Sequence, residues 1–274
     1  MKTFVAAIRL VGIALLAGCT EGVLDPQGPI ATAERQILFN ATGIMLAIVI
    51  PTILATLGVA AWFRASNTRA RYLPDFQESG RLELLVWAIP IMTVILVGGV
   101  AWVGSHDLHP GKPIESGVKP LRVQVVSLDW KWLFIYPEQG VASVNQLTIP
   151  VGTPVSFELT SSGPMNSFSV PQLGSQIYTM AGMVTRLHLQ ADHPGTFRGF
   201  SANYSGDGFA DMRFSVNAVD ADGFARWVEA ARNAAPPLDA QAYAELAKPT
   251  KAVVPFNYGA VAPDLFNVAL GTEK

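Results

Sequence analysis

The sequence predicts a membrane α + β protein, in which a two-helix transmembrane hairpin precedes a β-rich domain and a helical C-terminal arm. Half of the 274 residues are apolar and only 15% are charged, which is typical of chains with membrane spans. Two long runs near the N-terminus contain no charged residue, and apolar and polar side chains alternate after about residue 119. The net charge of −2 gives no electrostatic reason to expect a nucleic-acid partner.

The N-terminus has the pattern of a secretory signal: Lys2 and Arg9 precede a short apolar stretch that ends in small residues. Its last four residues, Leu16-Ala17-Gly18-Cys19, resemble a bacterial lipobox. We therefore predict a lipoprotein signal peptide over 1–18 and lipidation of Cys19. The alternative is a buried free cysteine near an uncleaved first helix. Because Cys19 is the only cysteine, an internal disulfide framework is excluded.

The two uncharged runs cover residues 36–63 and 84–105. At about 1.5 Å per residue, the shorter run extends about 33 Å as a helix, enough for a hydrocarbon core of about 30 Å. Both runs are therefore predicted to be transmembrane helices. Pro51 and Pro90 lie inside them and predict kinks, since neighbouring helices can satisfy the freed carbonyl groups.

The orientation of the hairpin follows from its arginines. Four lie in or beside the loop between the runs, at positions 64, 69, 71 and 81, whereas the segment from Cys19 to the first run has only Arg35. The positive-inside rule places this loop in the cytoplasm and both chain ends in the periplasm. The lipobox requires the same outside position for the N-terminus. The hairpin is assigned to 19–110.

The region 111–219 shows strand periodicity. Apolar residues alternate with polar ones at 155–160, 186–190 and 211–216, and Pro and Gly punctuate the segments. Several short strands predict a sandwich or a small barrel. From residue 220 onward Phe224, Trp227, Val228 and Ala231 follow helical spacing, Pro236-Pro237 ends that helix, and 240–247 predicts another. The aromatic residues of this arm, Phe256, Tyr258 and Phe266, suggest that it lies across another surface.

Two segments carry a family resemblance. The stretch Asp129-Trp130-Lys131-Trp132-Leu133-Phe134 and the stretch Met165-Asn166-Ser167-Phe168-Ser169-Val170-Pro171, placed after two spans, resemble subunit II of haem-copper terminal oxidases. The arm is similar to that of the quinol-oxidising branch of the family. The resemblance implies a cupredoxin-like β-sandwich in the periplasm of a bacterial inner-membrane protein.

Cytochrome c-oxidising members of the family hold a dinuclear copper centre in this domain. The positions that correspond to its six ligands are Asn166, Ser201, Asn203, Ser205, Phe209 and Met212. Copper sites of this kind need thiolates and imidazoles, and only the methionine matches. The resemblance therefore implies a copper-domain fold that lacks the copper ligands, with no metal in this chain. His188 and His193 could be metal ligands, but they add no thiolate. His188 is predicted to be exposed or hydrogen-bonded to a partner. Three methionines are predicted to fill the core: Met180, Met183 and Met212.

Two further features are open to two interpretations. Glu83 begins the second span, where it is either an interfacial acid favoured by the helix dipole or, as the resemblance implies, the entrance of a proton channel into subunit I. Trp130 and Trp132 match the aromatic stretch near electron entry in copper-bearing relatives. Without copper, we expect them to pack against subunit I.

The resemblance implies a non-catalytic subunit of a proton-pumping quinol oxidase, with ubiquinol favoured over menaquinol. Haems and copper are expected in subunit I, which oxidises the quinol and reduces oxygen. The expected partners are subunit I, further small membrane subunits and membrane lipid, but not cytochrome c. The alternatives are a free-standing lipoprotein binding module and a cytochrome c oxidase subunit II. A motif for another enzyme class, such as a phosphate loop or a catalytic triad, is absent from the sequence.

Overall fold

The computed structural model describes residues 22–71, 73–76 and 78–271. The predicted signal peptide and Cys19 lie outside this range. The described residues form two compact units. One is a helical hairpin over 34–109, and the other joins 22–33 to everything from residue 110 onward.

The hairpin consists of α1, Pro29–Trp62, and α2, Gly80–Asp107. Both helices are long and apolar enough to cross a membrane. They contain the two uncharged runs predicted to be helical almost completely. α1 begins earlier than predicted, because Glu34 and Arg35, although charged, are compatible with a helix. Each helix continues through its internal proline, Pro51 or Pro90. Their most apolar stretches are not buried within the chain, so these side chains require lipid or other helices as their surroundings.

The second unit contains thirteen strands among the described residues. Their bounds are β1 Leu121–Leu128, β2 Lys131–Tyr136, β3 Val141–Val144, β4 Gln146–Pro150, β5 Val155–Ser161, β6 Asn166–Val170, β7 Gly174–Thr179, β8 Thr185–Leu189, β9 Gly195–Ser201, β10 Arg213–Val219, β11 Pro237–Leu238, β12 Phe256–Tyr258 and β13 Ala260–Val261. One sheet has the order β12-β3-β2-β1-β5-β8 and the other β4-β10-β9-β6-β7. β11 and β13 form a separate pair. Of the two predicted alternatives, the structure has the sandwich.

The core between the two large sheets is rich in aromatic side chains. Phe168 stacks on Phe214 with ring centroids 5.0 Å apart, and Trp132 meets Phe168 edge-on at 5.4 Å. The predicted alternation is confirmed here, since Val155, Phe157 and Leu159 all point into this core. Large, fully buried rings of this kind contribute much of the stability of a small β domain.

The C-terminal arm contains α3 Ala221–Ala234, α4 Ala240–Leu246 and α5 Leu265–Leu270. It first adds α3 to the core between the sheets, through Val228 and Ala231, and from Leu238 onward it covers the outer face of the six-stranded sheet. The Asp220 carboxylate accepts the Gly223 N–H at the start of α3, and Asp239 caps α4 in the same way. A second core forms between arm and sheet from Val126, Leu128, Leu133, Ile135, Ala142, Val144, Leu238, Tyr243, Leu246, Tyr258, Leu265, Phe266 and Ala269.

The location of this second core corrects the interpretation of the arm's aromatic residues. Tyr258 and Phe266 are buried against the chain's own sheet, and β12 extends that sheet by pairing with β3. Phe256 is the exposed member of the three. The apolar side chains of the arm therefore cover the outer face of this domain.

The segment before the hairpin also packs on the sandwich. The backbone N–H of Gln27 donates to Gln172 O at 2.7 Å, and Asp192 N–H donates to Gln27 O at 2.8 Å. Gly28 is required by this close approach, because a Cβ there would lie 2.0 Å from the Gln190 carbonyl oxygen. The segment is thus fixed by backbone contacts on the β-sandwich.

Candidate functional site at the β9–β10 loop

The six positions that correspond to copper ligands lie at one end of the sandwich. Asn166 begins β6, Ser201 ends β9, and the others lie on the loop from Ala202 to Met212, which includes a short 3-10 turn. Backbone bonds fix the ends of this loop: Ser201 N–H donates to Met212 O at 3.1 Å, and Ala202 N–H donates to Ser167 O at 2.9 Å. The structure therefore brings together the positions that the sequence singled out.

A hydrogen bond joins the two most deeply buried polar residues of this group. Ser201 Oγ donates to Asn166 Oδ1 at 3.0 Å, and Asn166 Nδ2 donates to Pro164 O at 3.1 Å. Asn166 is 1% exposed and Ser201 is 4% exposed. Paired in this way, the two groups avoid the free-energy cost of unsatisfied buried polar atoms.

The remaining positions have structural partners as well. Asn203 Nδ2 donates to Met165 O at 3.1 Å, which joins the loop to the residue before β6. Ser205 Oγ lies 3.9 Å from the sulfur of Met212, and Met212 belongs to the core between the sheets. Phe209 packs edge-on against Tyr204, with ring centroids 5.7 Å apart. Tyr204 itself is 74% exposed.

These side chains do not fit a copper centre. The thioether of Met212 is the one soft donor among the six, and Phe209 has no donor atom. Ser201 bonds to Asn166, the Asn203 amide donates to the Met165 carbonyl, and the Ser205 hydroxyl is directed at the Met212 sulfur. A dinuclear copper site needs thiolate and imidazole ligands. Within the described residues, no three His, Cys, Asp or Glu side chains form a group that could hold a metal ion.

Trp130 packs against the β9–β10 loop. Its indole Nε1–H donates to Ser205 O at 3.0 Å, and its ring occupies the space where a Gly208 Cβ would lie, 2.3 Å from the nearest ring atom. Trp130 has a positive φ of 64°, which is strained for a residue with a Cβ. Its neighbour Trp132 is fully buried between the sheets. The expectation that Trp132 packs against another subunit is therefore wrong.

A segment of the arm passes beside the same loop and is held by buried polar groups. We call residues 248–253 the strap. The Lys131 ammonium donates to Lys248 O at 2.8 Å and to the Thr250 hydroxyl. Burial lowers the pKa of Lys131, although the nearby charge of Asp129 opposes this shift. Asn145 Nδ2 donates to Val253 O at 2.9 Å. Neither anchor was identified from the sequence, although a lysine within the apolar β2 strand is a signal of a specific partner.

The loop and the strap also meet through charge. Lys251 Nζ lies 3.8 Å from the Asp207 carboxylate and 5.5 Å from the centroid of the Trp130 ring. The Lys251 and Asp207 side chains are both at least half exposed to solvent, so their ion pair contributes little to stability alone. Together with the anchors at Lys131 and Asn145, they place the arm as a fixed brace beside the loop.

The sequence of this chain is similar to the sequences of known protein families. Residues 137–219 match the family described as "Cytochrome C oxidase subunit II, periplasmic domain", and residues 232–270 match the "COX Aromatic Rich Motif". The chain is 48% identical to the cytochrome bo(3) ubiquinol oxidase subunit 2 of Pseudomonas aeruginosa, over 95% of this chain and 80% of that one. It is also 48% identical to the ubiquinol oxidase subunit 2 of Acetobacter aceti, over 97% and 88% of the two chains. The chain belongs to the quinol oxidase subunit 2 family.

A more distant relative is the quinol oxidase subunit 2 of Bacillus anthracis, with 39% identity over 90% of this chain and 87% of that one. Membership of the quinol oxidase subunit 2 family confirms the predicted resemblance and the cupredoxin-like fold. It makes this chain part of an oxidoreductase complex. The alternative of a free-standing binding module is not favoured.

Other predicted residues of this family member lie away from the loop. Glu83 is exposed in the first turn of α2, a position that both of its interpretations require. His188 was predicted on the polar side of its strand, but only 8% of it is exposed, and its backbone N–H donates to Pro110 O at 3.1 Å. The segment after the hairpin therefore covers His188. Of the three methionines predicted to fill the core, Met212 does so, whereas Met183 is exposed and Met180 is half-buried.

Proposed function

We propose that this chain is a non-catalytic subunit of a ubiquinol oxidase, without a copper centre and outside the path of the electrons. The supporting observation is the Asn166–Ser201 hydrogen bond, which occupies the place of copper ligands with buried, mutually satisfied groups. Haems and copper then belong to subunit I, where quinol is oxidised and oxygen reduced. Ubiquinol is favoured as the substrate because the two relatives at 48% identity carry that name.

The proposed topology places this chain twice across the bacterial inner membrane. The loop that carries Arg64, Arg69 and Arg71 faces the cytoplasm, and the β-sandwich faces the periplasm. Lipidation of Cys19 would add a second attachment beside the helices. Mass spectrometry of the purified subunit tests both parts of the N-terminal proposal. A diacylglyceryl-modified Cys19 at the new N-terminus is expected, and an intact Met1 with a free thiol would contradict it.

The contacts with subunit I and the smaller membrane subunits are proposed to come from the flanks of α1 and α2. Their apolar side chains lack partners in the described part of this chain. The buried apolar side chains of the arm, such as Tyr258 and Phe266, already have partners inside the domain, so we assign the arm's buried face no role in assembly.

Glu83 is proposed to mark the entrance of the proton channel into subunit I. The variant Glu83→Gln keeps the shape of the side chain and removes its charge, so proton uptake and turnover should fall while assembly is retained. Glu78→Gln, an exposed acid just before the helix, is the matched control. If both variants turn over like the parent complex, the interfacial-acid interpretation is correct.

The decisive experiment is purification of the tagged complex from native membranes, followed by an optical spectrum, metal analysis and oxygen uptake. Co-purifying haems, one copper per complex and uptake driven by ubiquinol but not by reduced cytochrome c are expected. Two additional coppers with cytochrome c-driven uptake would favour the cytochrome c oxidase alternative. A colourless, solitary protein would favour the binding module.

A further inference from the structure

The loop between the two membrane helices combines unpaired positive charge with exposed apolar side chains. We call residues 63–79 the inter-helix loop. Phe63 is 59% exposed and Phe76 is 62% exposed. Arg64 and Arg71 are also exposed, and no salt bridge joins either of them to a carboxylate within the described ranges. Such a combination is not explained by packing within the chain.

The loop has a defined shape. Asn67 braces it from within: its side-chain amide donates to the Trp62 carbonyl at the end of α1, and its Oδ1 accepts the Arg69 N–H at 3.1 Å. A second turn is closed by Phe76 N–H, which donates to Leu73 O at 3.2 Å. The folded loop encloses an open cup of about 680 Å³.

The lining of the cup is amphipathic. Arg64 and Arg71 line it together with Phe63, Leu73 and Phe76. Guanidinium groups form paired hydrogen bonds with phosphate oxygens, and apolar side chains at the end of a membrane helix favour the acyl region of a bilayer. Arg69 and Arg81 carry the same charge but do not line the cup.

We propose that this cup binds the headgroup of an acidic phospholipid, with its phosphate between Arg64 and Arg71 and its glycerol end against Phe63 and Phe76. The ligand is a lipid and not a soluble phosphate compound, because the cup lies where the apolar helices end and most of the residues that line it are apolar. A basic pocket at the ends of membrane helices is suited to an anionic headgroup. The site requires the two helices to span a membrane and is independent of the redox chemistry of the complex.

The test compares two double variants with the same change of charge. The purified oxidase complex, carrying either Arg64→Gln/Arg71→Gln or Arg69→Gln/Arg81→Gln, is placed in nanodiscs of phosphatidylcholine mixed with phosphatidylglycerol. It is then extracted in mild detergent, and the retained phosphatidylglycerol is measured by mass spectrometry. We expect the cup variant to retain at least tenfold less phosphatidylglycerol, because it loses charge-assisted hydrogen bonds to the lipid phosphate that each contribute about tenfold. Lipid that is attracted only by the general surface charge is removed by the detergent. The control variant should match the parent.

Three results would overturn the proposal. Equal losses in both variants would show a general attraction of the basic loop for the anionic surface, with no site. Equal retention in both would show that the cup binds no acidic lipid. The third concerns the occupant: a photoreactive residue in place of Leu73 should form an adduct with the mass of a phospholipid, and an adduct with another subunit would show that the cup is a protein contact. Haem content and assembly of each variant, measured in parallel, identify any complex that has simply failed to form.

Discussion

The two faces of the six-stranded sheet are covered in different ways. Its inner face packs against the second sheet through large aromatic rings that all come from strands. Its outer face is covered by a separate segment, the arm, over β1, β2 and β3. Beside this covered area, Arg122 at the start of β1 forms a salt bridge with Glu158 of β5. The inner core is therefore made mainly by the strands of the sandwich, to which α3 adds Val228 and Ala231, whereas the outer core depends on the part of the arm after α3, which can detach while the sandwich stays folded.

This difference indicates how the two cores should respond to damage. Residues of the inner core cannot lose their partners unless the sandwich opens, so their removal reduces the free energy of global unfolding. Residues of the outer core can lose theirs by local detachment of the arm, which has a lower free-energy cost. Four substitutions test this contrast, and each is to be made in the full-length chain within the complex.

Phe168→Ala should have the largest effect. The ring contacts Trp132, Phe157 and Phe214, and its removal leaves a cavity that the two sheets cannot close. We expect a loss of about 3–5 kcal/mol in the free energy of unfolding, measured by denaturant titration followed by tryptophan fluorescence. Phe168→Leu, which retains much of the volume, should cost less. An Ala variant as stable as the Leu variant would show that the inner core adapts.

Phe266→Ala should lower the free energy of unfolding less than Phe168→Ala does, by about 3 kcal/mol at most. The partners of Phe266 belong to the arm as well as to the sheet, so the arm can detach locally. The expected result is specific: limited proteolysis should cut the arm rapidly while the sandwich from β1 to β10 stays intact. Val268→Ala, on the exposed side of the same short helix, is the control. Loss of the whole domain at the same rate as the arm would show that the two cores unfold together.

Asn145→Ala should lower the free energy of unfolding by about 2 kcal/mol. The buried backbone N–H of Trp132 loses its acceptor, and residue 145 has a left-handed backbone conformation that alanine tolerates poorly. The strap loses its bond from Asn145 to Val253 at the same time. Asn145→Gly removes the same hydrogen bonds without the backbone strain, so it should recover part of the loss. Thermal unfolding of the two variants measures the difference, and identical melting temperatures would exclude a contribution from strain.

His188 should give the smallest effect, visible only as a dependence on pH. Burial lowers the pKa of His188 below its ordinary value of 6.5, and the positive charge of Arg186 is a smaller cause of the same shift. The unfolded chain then binds more protons between the lowered pKa and 6.5, so stability is present above that window and is lost as the pH falls through it. His188→Gln should flatten this slope in melting temperatures measured across the window. His193→Gln, at an exposed position, should leave it unchanged.

Sequence patterns predicted the elements better than their surroundings. The two spans, the strands around Phe157 and Phe214, and the helix that begins at Ala221 follow from charge, alternation and spacing, which act locally. What covers the outer face of a strand is decided by residues far along the chain. This explains why Tyr258 and Phe266 were expected to face another surface, and why the segment that covers His188 was not foreseen when that residue was predicted to be exposed or hydrogen-bonded.

The candidate site shows the same division. The six positions of the β9–β10 loop were identified from the resemblance, and the structure places them together. The bond between Ser201 and Asn166 could not be derived from spacing, because the two residues are 35 positions apart. The anchors of the strap were missed for the same reason, since Lys131 and Asn145 reach residues more than a hundred positions away.

The pairing of β12 with β3 has a consequence for biogenesis. Because the strands are synthesised before the arm that covers them, the nascent domain exposes Val126, Leu133 and Ile135 beside an open strand edge at β3. Open apolar edges of this kind promote association between chains. A chain shortened after Val219 would keep this edge open permanently and would also lack α3, so it should be aggregated or degraded even though strands β1 to β10 are complete.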